Sequence, residues 1–122
     1  MKECKIVNLT PHSITIEDVD GNKIIYEPHG TPCRVVERYE IVDLAITEDR
    51  PIALKKAIPI AIKGLPPQRE GVMYICSGMA ADAAWKLGRS DVICPSTDPD
   101  DIIRDERGFT TAIRAFKVMP KP

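Results

Sequence analysis

The chain has 122 residues, of which 43% are hydrophobic and 29% are charged. These proportions are typical of soluble globular proteins and exclude a disordered or fibrous chain, and the length fits one domain, predicted over 1–122. With 17 Lys and Arg against 18 Asp and Glu, the net charge is −1. Such a balance argues against a protein that coats long nucleic acid, although a local basic pocket remains compatible with it.

No segment predicts export or membrane insertion. The N-terminus lacks the apolar core of a signal peptide, and the longest strongly apolar stretch, 58–62, is far shorter than the roughly 20 residues of a membrane helix. We therefore predict a cytoplasmic protein. No C-x-x-C pair occurs among Cys4, Cys33, Cys76 and Cys94. Reduced, mostly buried thiols are predicted, with two disulfides as the alternative.

The first half of the chain predicts β structure. Alternating or β-branched residues predict strands at 5–9, 13–19, 23–27 and 33–42. The segment Asp20-Gly21-Asn22 predicts a hairpin turn, because glycine and asparagine tolerate a positive φ. Segment 46–62 contains Pro51 and Pro59, which forbid one continuous helix, so short strands with a turn are predicted there.

The second half predicts one secure helix among strands. The apolar run 71–77 predicts a buried central strand, and the alanine-rich run 79–87 predicts a helix capped by Ser77 and ended by Gly88. Further predictions are a strand at 92–94, a polar loop at 95–101, and strands at 102–104 and 112–118 paired through a turn at 105–108. The expected fold is α+β: mainly an antiparallel β-sheet with one or two helices in a single compact domain.

Residues suited to catalysis or metal binding are few. His12 and His29 are the only histidines, and no nucleophile elbow or zinc-protease motif accompanies them. For His12 we predict a structural or ligand-contacting role rather than a catalytic one. Glycine-rich phosphate loops are also absent from the sequence. Asp98, Asp100 and Asp101 lack the spacing of a calcium loop, so a solvated acidic loop is predicted, and no metal or cofactor is expected.

Arginine is the more informative residue type. A guanidinium grips phosphate with two parallel hydrogen bonds and stacks on bases. Arg34 follows a loop, Arg89 follows the predicted helix, and Arg104, Arg107 and Arg114 belong to one predicted hairpin. The alternative is that these arginines pair with carboxylates on a wet surface, where each pair contributes under about 1 kcal/mol. A phosphate site requires their guanidiniums to converge on one enclosed cavity.

Several short motifs occur in an order that resembles a known family. They are IVNLTPH at 6–12, GTPCRV at 30–35, GLP at 64–66, GVMYICS at 71–77, RSDV at 89–92 and IRDERG at 103–108. Together they resemble the small phage and prophage proteins of the N-L-T-P-H type, the family of Thoeris anti-defence protein 1.

The resemblance implies a non-catalytic sponge that sequesters signalling nucleotides of bacterial immunity in the cytoplasm of an infected or lysogenic host. Its ligands would be cyclic ADP-ribose isomers, such as the glycocyclic type, or cyclic oligonucleotides. By the same resemblance, Met79, Arg89 and Asp91 face the ADP-ribose-type ligand, with phosphate contacts from Arg104, Arg107 and Arg114. Arg34 and Leu65 lie nearer a separate pocket for cyclic oligonucleotides.

The resemblance also implies a homo-oligomer, a dimer or a hexamer made of dimers. Nanomolar binding needs about 12 kcal/mol, whereas one charge-assisted hydrogen bond contributes roughly 1.5–3 kcal/mol before ordering costs. We therefore predict ligand sites built from two chains. Two alternatives remain: a metal-assisted nucleotide phosphodiesterase that uses His12 with the aspartates, and a structural phage protein without a ligand.

Overall fold

Two four-stranded sheets and one long hairpin make up the fold. The computed structural model describes residues 3–121, so Met1, Lys2 and Pro122, which the single-domain prediction included, lie outside the described residues. The strands are β1 Lys5–Asn8, β2 Ile14–Glu17, β3 Lys23–Tyr26, β4 Arg34–Thr47, β5 Arg50–Lys63, β6 Val72–Ile75, β7 Val92–Pro95, β8 Ile102–Arg104, β9 Thr110–Ile113 and β10 Phe116–Lys117. Helix α1 is Gly78–Lys86, and Pro99–Asp101 forms a short 3-10 helix.

The central sheet has the strand order β1-β6-β7-β10. Strands β1, β6 and β7 are parallel, and β10 is antiparallel to β7. Continuous apolar sequences suit this position because both faces of the sheet are covered. Ile75 and Val92 are completely buried. The three parallel strands therefore end along one edge of the sheet, which matters for the site described below.

Helix α1 connects β6 to β7 and confirms the helix prediction. The hydroxyl of Ser77 caps the helix by accepting a hydrogen bond from the Ala80 amide at 3.2 Å. Gly88, with φ of +90°, ends it in a conformation that favours glycine. The alanine face and Trp85 pack against Tyr74 and Val92 on one face of the central sheet. None of the helices within residues 3–121 is long and apolar enough to cross a membrane.

The second sheet contacts the central sheet through strand β3. Its strand order is β3-β2-β9-β8, with β2 and β9 parallel and the outer pairs antiparallel. The buried side chains of this sheet are Ile16, Ala112 and Ile113. The rings of Tyr26 and Phe116 meet edge to face between the sheets, with centroids 6.1 Å apart. The predicted hairpin turn at Asp20–Asn22 connects β2 to β3.

Strands β4 and β5 form a hairpin of 14 residues on each side. The strands and the turn predicted within 46–62 are present, but the prediction that the strands are short is wrong, because one continuous strand runs from Arg50 to Lys63. Proline is tolerated where its missing N–H would face solvent, and both strands of a two-stranded sheet have an open edge. Glu48 and Asp49, with φ of +50° and +61°, form the tight turn.

The predicted strand 112–118 is also wrong as one element. Its first part belongs to β9, which pairs with β8, and its last part is β10, which pairs with β7 of the other sheet. Between them the chain crosses from one sheet to the other, a step that local sequence does not signal. The predicted α+β class is confirmed: one compact domain of antiparallel and mixed strands, with one α-helix among residues 3–121.

Candidate functional site

A cavity of about 370 Å³ lies where the three parallel strands end, and we name it the strand-end cavity. Thr10 and His12 follow β1, Ser77 and Gly78 follow β6, and Thr97 follows β7. Ile14, Asp82, Trp85, Cys94, Pro95 and Lys117 complete its lining. Small-molecule sites have volumes of roughly 300–1,000 Å³, and ligands often bind outside the carboxyl ends of parallel strands.

Asn8 fixes the segment that brings His12 to this cavity. Its side chain is buried, and its Nδ2 donates hydrogen bonds to the carbonyl oxygens of His12 at 2.8 Å and Tyr26 at 2.9 Å. Its Oδ1 accepts from the Thr10 amide at 2.9 Å and from the Thr10 hydroxyl at 2.7 Å. One amide therefore satisfies four partners and locks the turn after β1. The exposed imidazole of His12 lies at the cavity as a result.

Trp85 and Lys117 form one wall of the strand-end cavity. The indole Nε1 of Trp85 donates to the Val92 carbonyl at 2.8 Å, which fixes the ring plane. The Lys117 ammonium lies 5.8 Å from the ring centroid, within the range of a cation–π interaction. Burial raises the pKa of the adjacent Cys94 thiol, so this thiol stays neutral at neutral pH. The wall therefore presents one cation against an apolar surface.

The mouth of the strand-end cavity suits an anion. The amide dipoles of α1 place partial positive charge near Ser77 and Gly78, and Lys117 adds a full charge. The negative charge of Asp82 counteracts these positive charges, but Lys86 pairs with the Asp82 carboxylate at 2.9 Å. The hydroxyls of Ser77 and Thr97 add hydrogen-bond donors, whereas the Thr10 hydroxyl already donates to Asn8. The arrangement can hold a negatively charged group beside an apolar ring.

Arg89 and Asp91, both predicted site residues, pair with each other. Arg89 Nε and Nη2 donate to Asp91 Oδ1 at 2.8 Å and Oδ2 at 2.7 Å, and Nη2 also donates to the Pro66 carbonyl at 2.8 Å. The hydrogen bond to Asp91 raises the pKa of Arg89. The pair thus ties the loop after α1 to the segment after β5. Asp91 also lines a second cavity, of about 520 Å³, together with Gln68 and Arg69.

Replacing Arg89 with alanine is expected to lower the free energy of unfolding by about 2 kcal/mol, because it leaves the buried Asp91 carboxylate without its partner. The Asp91 side chain is only 5% exposed, while Arg89 is 23% exposed. Lys86→Ala is the control, since the Lys86–Asp82 pair is 65% and 57% exposed and should contribute under about 1 kcal/mol. Chemical denaturation measures both; equal losses would contradict a structural role for the Arg89 pair.

The remaining residues expected near a ligand lie apart. Met79, 71% exposed at the start of α1, lines a small cavity of about 190 Å³ between α1 and the base of the β4–β5 hairpin. Met79 lies in the first turn of α1, whereas Arg89 follows the end of the helix. Arg34 is exposed at the start of β4, and Leu65 packs against the core on the helix side.

Arg104, in β8, and Arg114, directly after β9, make their contacts within the chain. Arg104 Nη1 donates to the Gly108 carbonyl at 2.9 Å across the β8–β9 turn. Arg114 Nη1 donates to the Asp100 carbonyl at 3.0 Å, and its Nε pairs with Glu17 at 3.3 Å. Arg107 is exposed in the β8–β9 turn itself.

The expectation that the guanidiniums converge on one cavity is therefore wrong for a single chain. None of the three cavities described above is lined by Arg34, Arg89, Arg104, Arg107 or Arg114. The physical reason is topological: these residues belong to the hairpin base, to the loop after α1 and to the second sheet. A short spacing in sequence within 104–114 does not bring the side chains together, because the turn and the strands direct them to different partners.

The aspartates of the polar loop stabilise its turn. Asp98 Oδ1 accepts from the Asp100 amide at 3.1 Å, and Asp101 Oδ2 accepts from the Ser96 hydroxyl at 2.7 Å. Across residues 3–121, no group of three or more His, Cys, Asp or Glu side chains is placed to hold a metal ion. The set of His12 and aspartates that the phosphodiesterase alternative requires is thus not assembled in the described part of the chain.

The four cysteines are free and differ in environment. Cys76 and Cys94 are buried, Cys33 is half-buried and Cys4 is exposed. The thiols of Cys33 and Cys76 form a hydrogen bond that lowers the pKa of Cys33, with a further lowering from Arg89. The same hydrogen bond and burial raise the pKa of Cys76 well above its usual range. Cys33 is therefore the thiol whose anion the protein stabilises.

Comparisons of this chain with protein-family models, with curated proteins and with solved structures find no match. The site therefore has to be interpreted from its own geometry.

Sequence analysis did not assign Asn8, Trp85, Thr97 or Lys117 to the site. One signal could have found two of them. Asn8 lies at the end of the predicted strand 5–9 and Thr97 follows the predicted strand 92–94, and polar residues at the ends of parallel strands meet at one edge of a sheet. Trp85 had no such signal, because it lies within the predicted helix. Lys117 had no such signal, because it reaches the cavity from β10, whose place in the central sheet was not predicted.

Proposed function

We propose that this protein binds a small anionic nucleotide in the strand-end cavity and sequesters it without cleaving it. The observation that supports the proposal is the cavity itself. Its volume is about 370 Å³, and its lining combines Lys117, the start of α1, the hydroxyls of Ser77 and Thr97 and an aromatic wall. These are the groups that a phosphate beside a ring system requires.

The lining of the strand-end cavity has a polar part and an apolar part, and together they would orient the ligand. A phosphate would lie between Lys117 and the start of α1, where the hydroxyls of Ser77 and Thr97 add hydrogen bonds. A ribose or base would pack on the apolar side, against Ile14 and Pro95, with the small exposed part of Trp85 behind them. His12, held by the turn that Asn8 organises, would contact the ligand from the third strand end.

Two of the motifs that carry the family resemblance contribute residues to the strand-end cavity, whereas the residues that the resemblance assigns to ligands, such as Met79 and Arg89, lie elsewhere. The motif at 6–12 supplies Thr10 and His12, and the motif at 71–77 supplies Ser77. The ligand class is accordingly that of immune signals, cyclic ADP-ribose isomers or cyclic oligonucleotides, captured by a phage-encoded protein in the bacterial cytoplasm. Such cyclic ligands are bulky, and a second copy of the chain would enclose the part that projects from the mouth.

The proposal is tested by isothermal titration with a cyclic ADP-ribose isomer and with cyclic di- and trinucleotides. The bound ligand is then released by heat denaturation and analysed by chromatography and mass spectrometry. Saturable binding with recovery of intact ligand is the expected result. Recovery of a cleaved or altered nucleotide would overturn sequestration in favour of an enzyme, and no heat of binding with any of these ligands would overturn nucleotide binding.

Replacing Lys117 with glutamine should weaken binding of the nucleotide by about 10- to 100-fold, the loss expected for one charge-assisted hydrogen bond. Folding should be little affected, because Lys117 is exposed. Lys23→Gln removes the same charge from β3, away from the strand-end cavity, and is the matched control. The dissociation constants of the two variants decide the point: equal weakening would show that overall charge, and not this cavity, holds the ligand.

A further inference from the structure

Two thiols meet on the side of the central sheet that faces α1. Cys76 follows β6 directly and is buried in the core cluster, and Cys33, half-buried just before β4, packs against the same cluster. Their side chains form the hydrogen bond described above. Neither thiol belongs to the strand-end cavity, so the proposed function leaves this pair without a role.

The backbone holds the two cysteines side by side through Leu9. The Leu9 amide donates to the Ile75 carbonyl at 2.9 Å, which continues the parallel pairing of β1 with β6 and places Leu9 beside Cys76. If the parallel ladder continued, the Ser77 amide would donate to the Leu9 carbonyl. The Cys33 amide donates to that carbonyl instead, at 2.9 Å. Cys33 therefore lies next to Cys76, on a segment hydrogen-bonded to the same residue.

Both positions are fixed by their surroundings. On its other side, the Cys76 amide donates to the Ile93 carbonyl of β7 at 2.9 Å. Gly64, the residue after β5, passes so close to the segment before β4 that a Cβ on it would lie 2.9 Å from the Pro32 carbonyl oxygen. A disulfide needs its two Cα atoms within roughly 7 Å of each other. Adjacent thiols on a well-fixed backbone suit that requirement.

The two thiols differ in the way that a redox pair requires. The thiolate is the form of cysteine that attacks a disulfide. Cys33 is partly accessible, and the hydrogen bond from Cys76 together with the charge of Arg89 lowers the pKa of Cys33. Cys76 has no exposed surface, and the same hydrogen bond and burial raise its pKa. Cys33 is thus suited to attack an oxidant from solvent, and Cys76 to close the bond from the interior.

We propose that Cys33 and Cys76 are a redox-active pair, which a small disulfide such as glutathione disulfide converts into an intramolecular disulfide. Cys33 loses its proton to solvent and attacks one sulfur of the oxidant, whose S–S bond breaks and releases a glutathione thiolate. The Cys76 sulfur then attacks Cys33 Sγ in the mixed disulfide, and its proton passes to the second departing glutathione. Two protein thiols are oxidised, and one glutathione disulfide is reduced to two glutathione molecules.

The new bond would connect the loop before β4 to the end of β6, one residue before the Ser77 cap of α1. Such a cross-link restricts the unfolded chain, and the stabilisation grows with the length of the closed loop. The oxidised form is therefore expected to melt on the order of 10 °C above the reduced form. The inference goes beyond the proposed function and depends on no ligand.

The test treats the full chain, carrying Cys4→Ser to remove the exposed thiol, with glutathione disulfide. Free thiols are then alkylated, and the protein is digested with trypsin without reduction. Each remaining cysteine lies in its own tryptic peptide: Cys33 in 24–34, Cys76 in 70–86 and Cys94 in 90–104. Mass spectrometry is expected to find 24–34 joined to 70–86, and to lose this species after reduction. Unreacted thiols, a final mixed disulfide at Cys33, or a link to the Cys94 peptide would overturn the inference.

Matched variants in the same Cys4→Ser chain test the order of attack. Cys76→Ala should accumulate the mixed disulfide at Cys33, whereas Cys33→Ser should form no protein disulfide and show no rise in Tm. Cys94→Ala is the control and should keep both the disulfide and the rise in Tm. A disulfide that still forms in Cys33→Ser, or its loss in Cys94→Ala, would contradict the proposed pair. Nucleotide binding is measured on the reduced protein, so the two proposals fail separately.

Discussion

Replacing Asn8 with alanine is expected to lower the free energy of unfolding by about 3–5 kcal/mol, a large part of the 5–15 kcal/mol typical of a small domain. The amide is buried and satisfies four hydrogen-bonding groups, among them the carbonyls of His12 and Tyr26. Alanine leaves these groups without their partner in the interior. Because the Tyr26 carbonyl belongs to β3, the loss also loosens the contact between the two sheets.

Chemical denaturation monitored by the fluorescence of Trp85 measures the effect of this change. Ser13→Ala removes an exposed hydrogen bond to Glu27 and should change stability by no more than about 0.5 kcal/mol. Asn8→Asp keeps the shape but replaces the two donors by an oxygen that faces two carbonyls, so it too should be strongly destabilising at neutral pH. An aspartate variant as stable as wild type would show that Nδ2 is not the group that matters.

Replacing Trp85 with alanine is expected to lower the free energy of unfolding by about 3–5 kcal/mol as well. The ring is 6% exposed and lies among the alanines of α1 and the strands β6 and β7. Removing it leaves a cavity in the centre of the core. It also removes the surface over which the Lys117 ammonium is held.

The variant Trp85→Phe separates the contribution of the aromatic ring to stability from that of its hydrogen bond. Phenylalanine keeps most of the apolar volume but loses the indole N–H that donates to the Val92 carbonyl, so a smaller loss of about 1–2 kcal/mol is expected. Circular dichroism during denaturation is the suitable measurement, because the intrinsic fluorophore is removed in both variants. A loss below 1 kcal/mol for the alanine variant would contradict a central packing role for Trp85.

The walls of the strand-end cavity are therefore also parts of the core. Trp85 and Cys94 are buried, and the cavity segment after β1 depends on Asn8. A ligand that binds there binds a surface made rigid by packing, which lowers the entropy that binding costs. For the same reason, weaker ligand binding by an Asn8 or Trp85 variant would reflect a loss of folding stability before it reflects a lost ligand contact. Lys117 is the informative position, since its exposed side chain can be changed without disturbing the core.

The arginines that were expected to bind the ligand lie apart and are used within the chain. Arg89, Arg104 and Arg114 each contact a carboxylate or a backbone carbonyl within the chain. Arg89 in particular bridges the loop after α1 to the Pro66 carbonyl, and so fixes the ends of two segments. Recognition within one chain is accordingly proposed to depend on a helix start, a lysine and hydroxyls, with a second copy supplying what one chain lacks.

Local sequence determined the elements whose stability is local. Ser77 and Gly88 mark the two ends of α1 because capping and positive φ are properties of single residues and their nearest neighbours. The turn at Asp20–Asn22 followed for the same reason, since Asp18 and Gly21 close it with short-range hydrogen bonds. The α+β class followed from these elements and from the periodicity of the strands.

Tertiary structure alone decided which elements meet. The residues of β9 and β10 are close in sequence, yet they join different sheets: β9 lies between β2 and β8, whereas β10 pairs with β7 at the edge of the central sheet. The long β5 strand exists because β4 offers it a partner along its whole length. The strand-end cavity unites residues from Thr10 to Lys117. Pairing energies between distant segments depend on which partners are available, and a single segment does not contain that information.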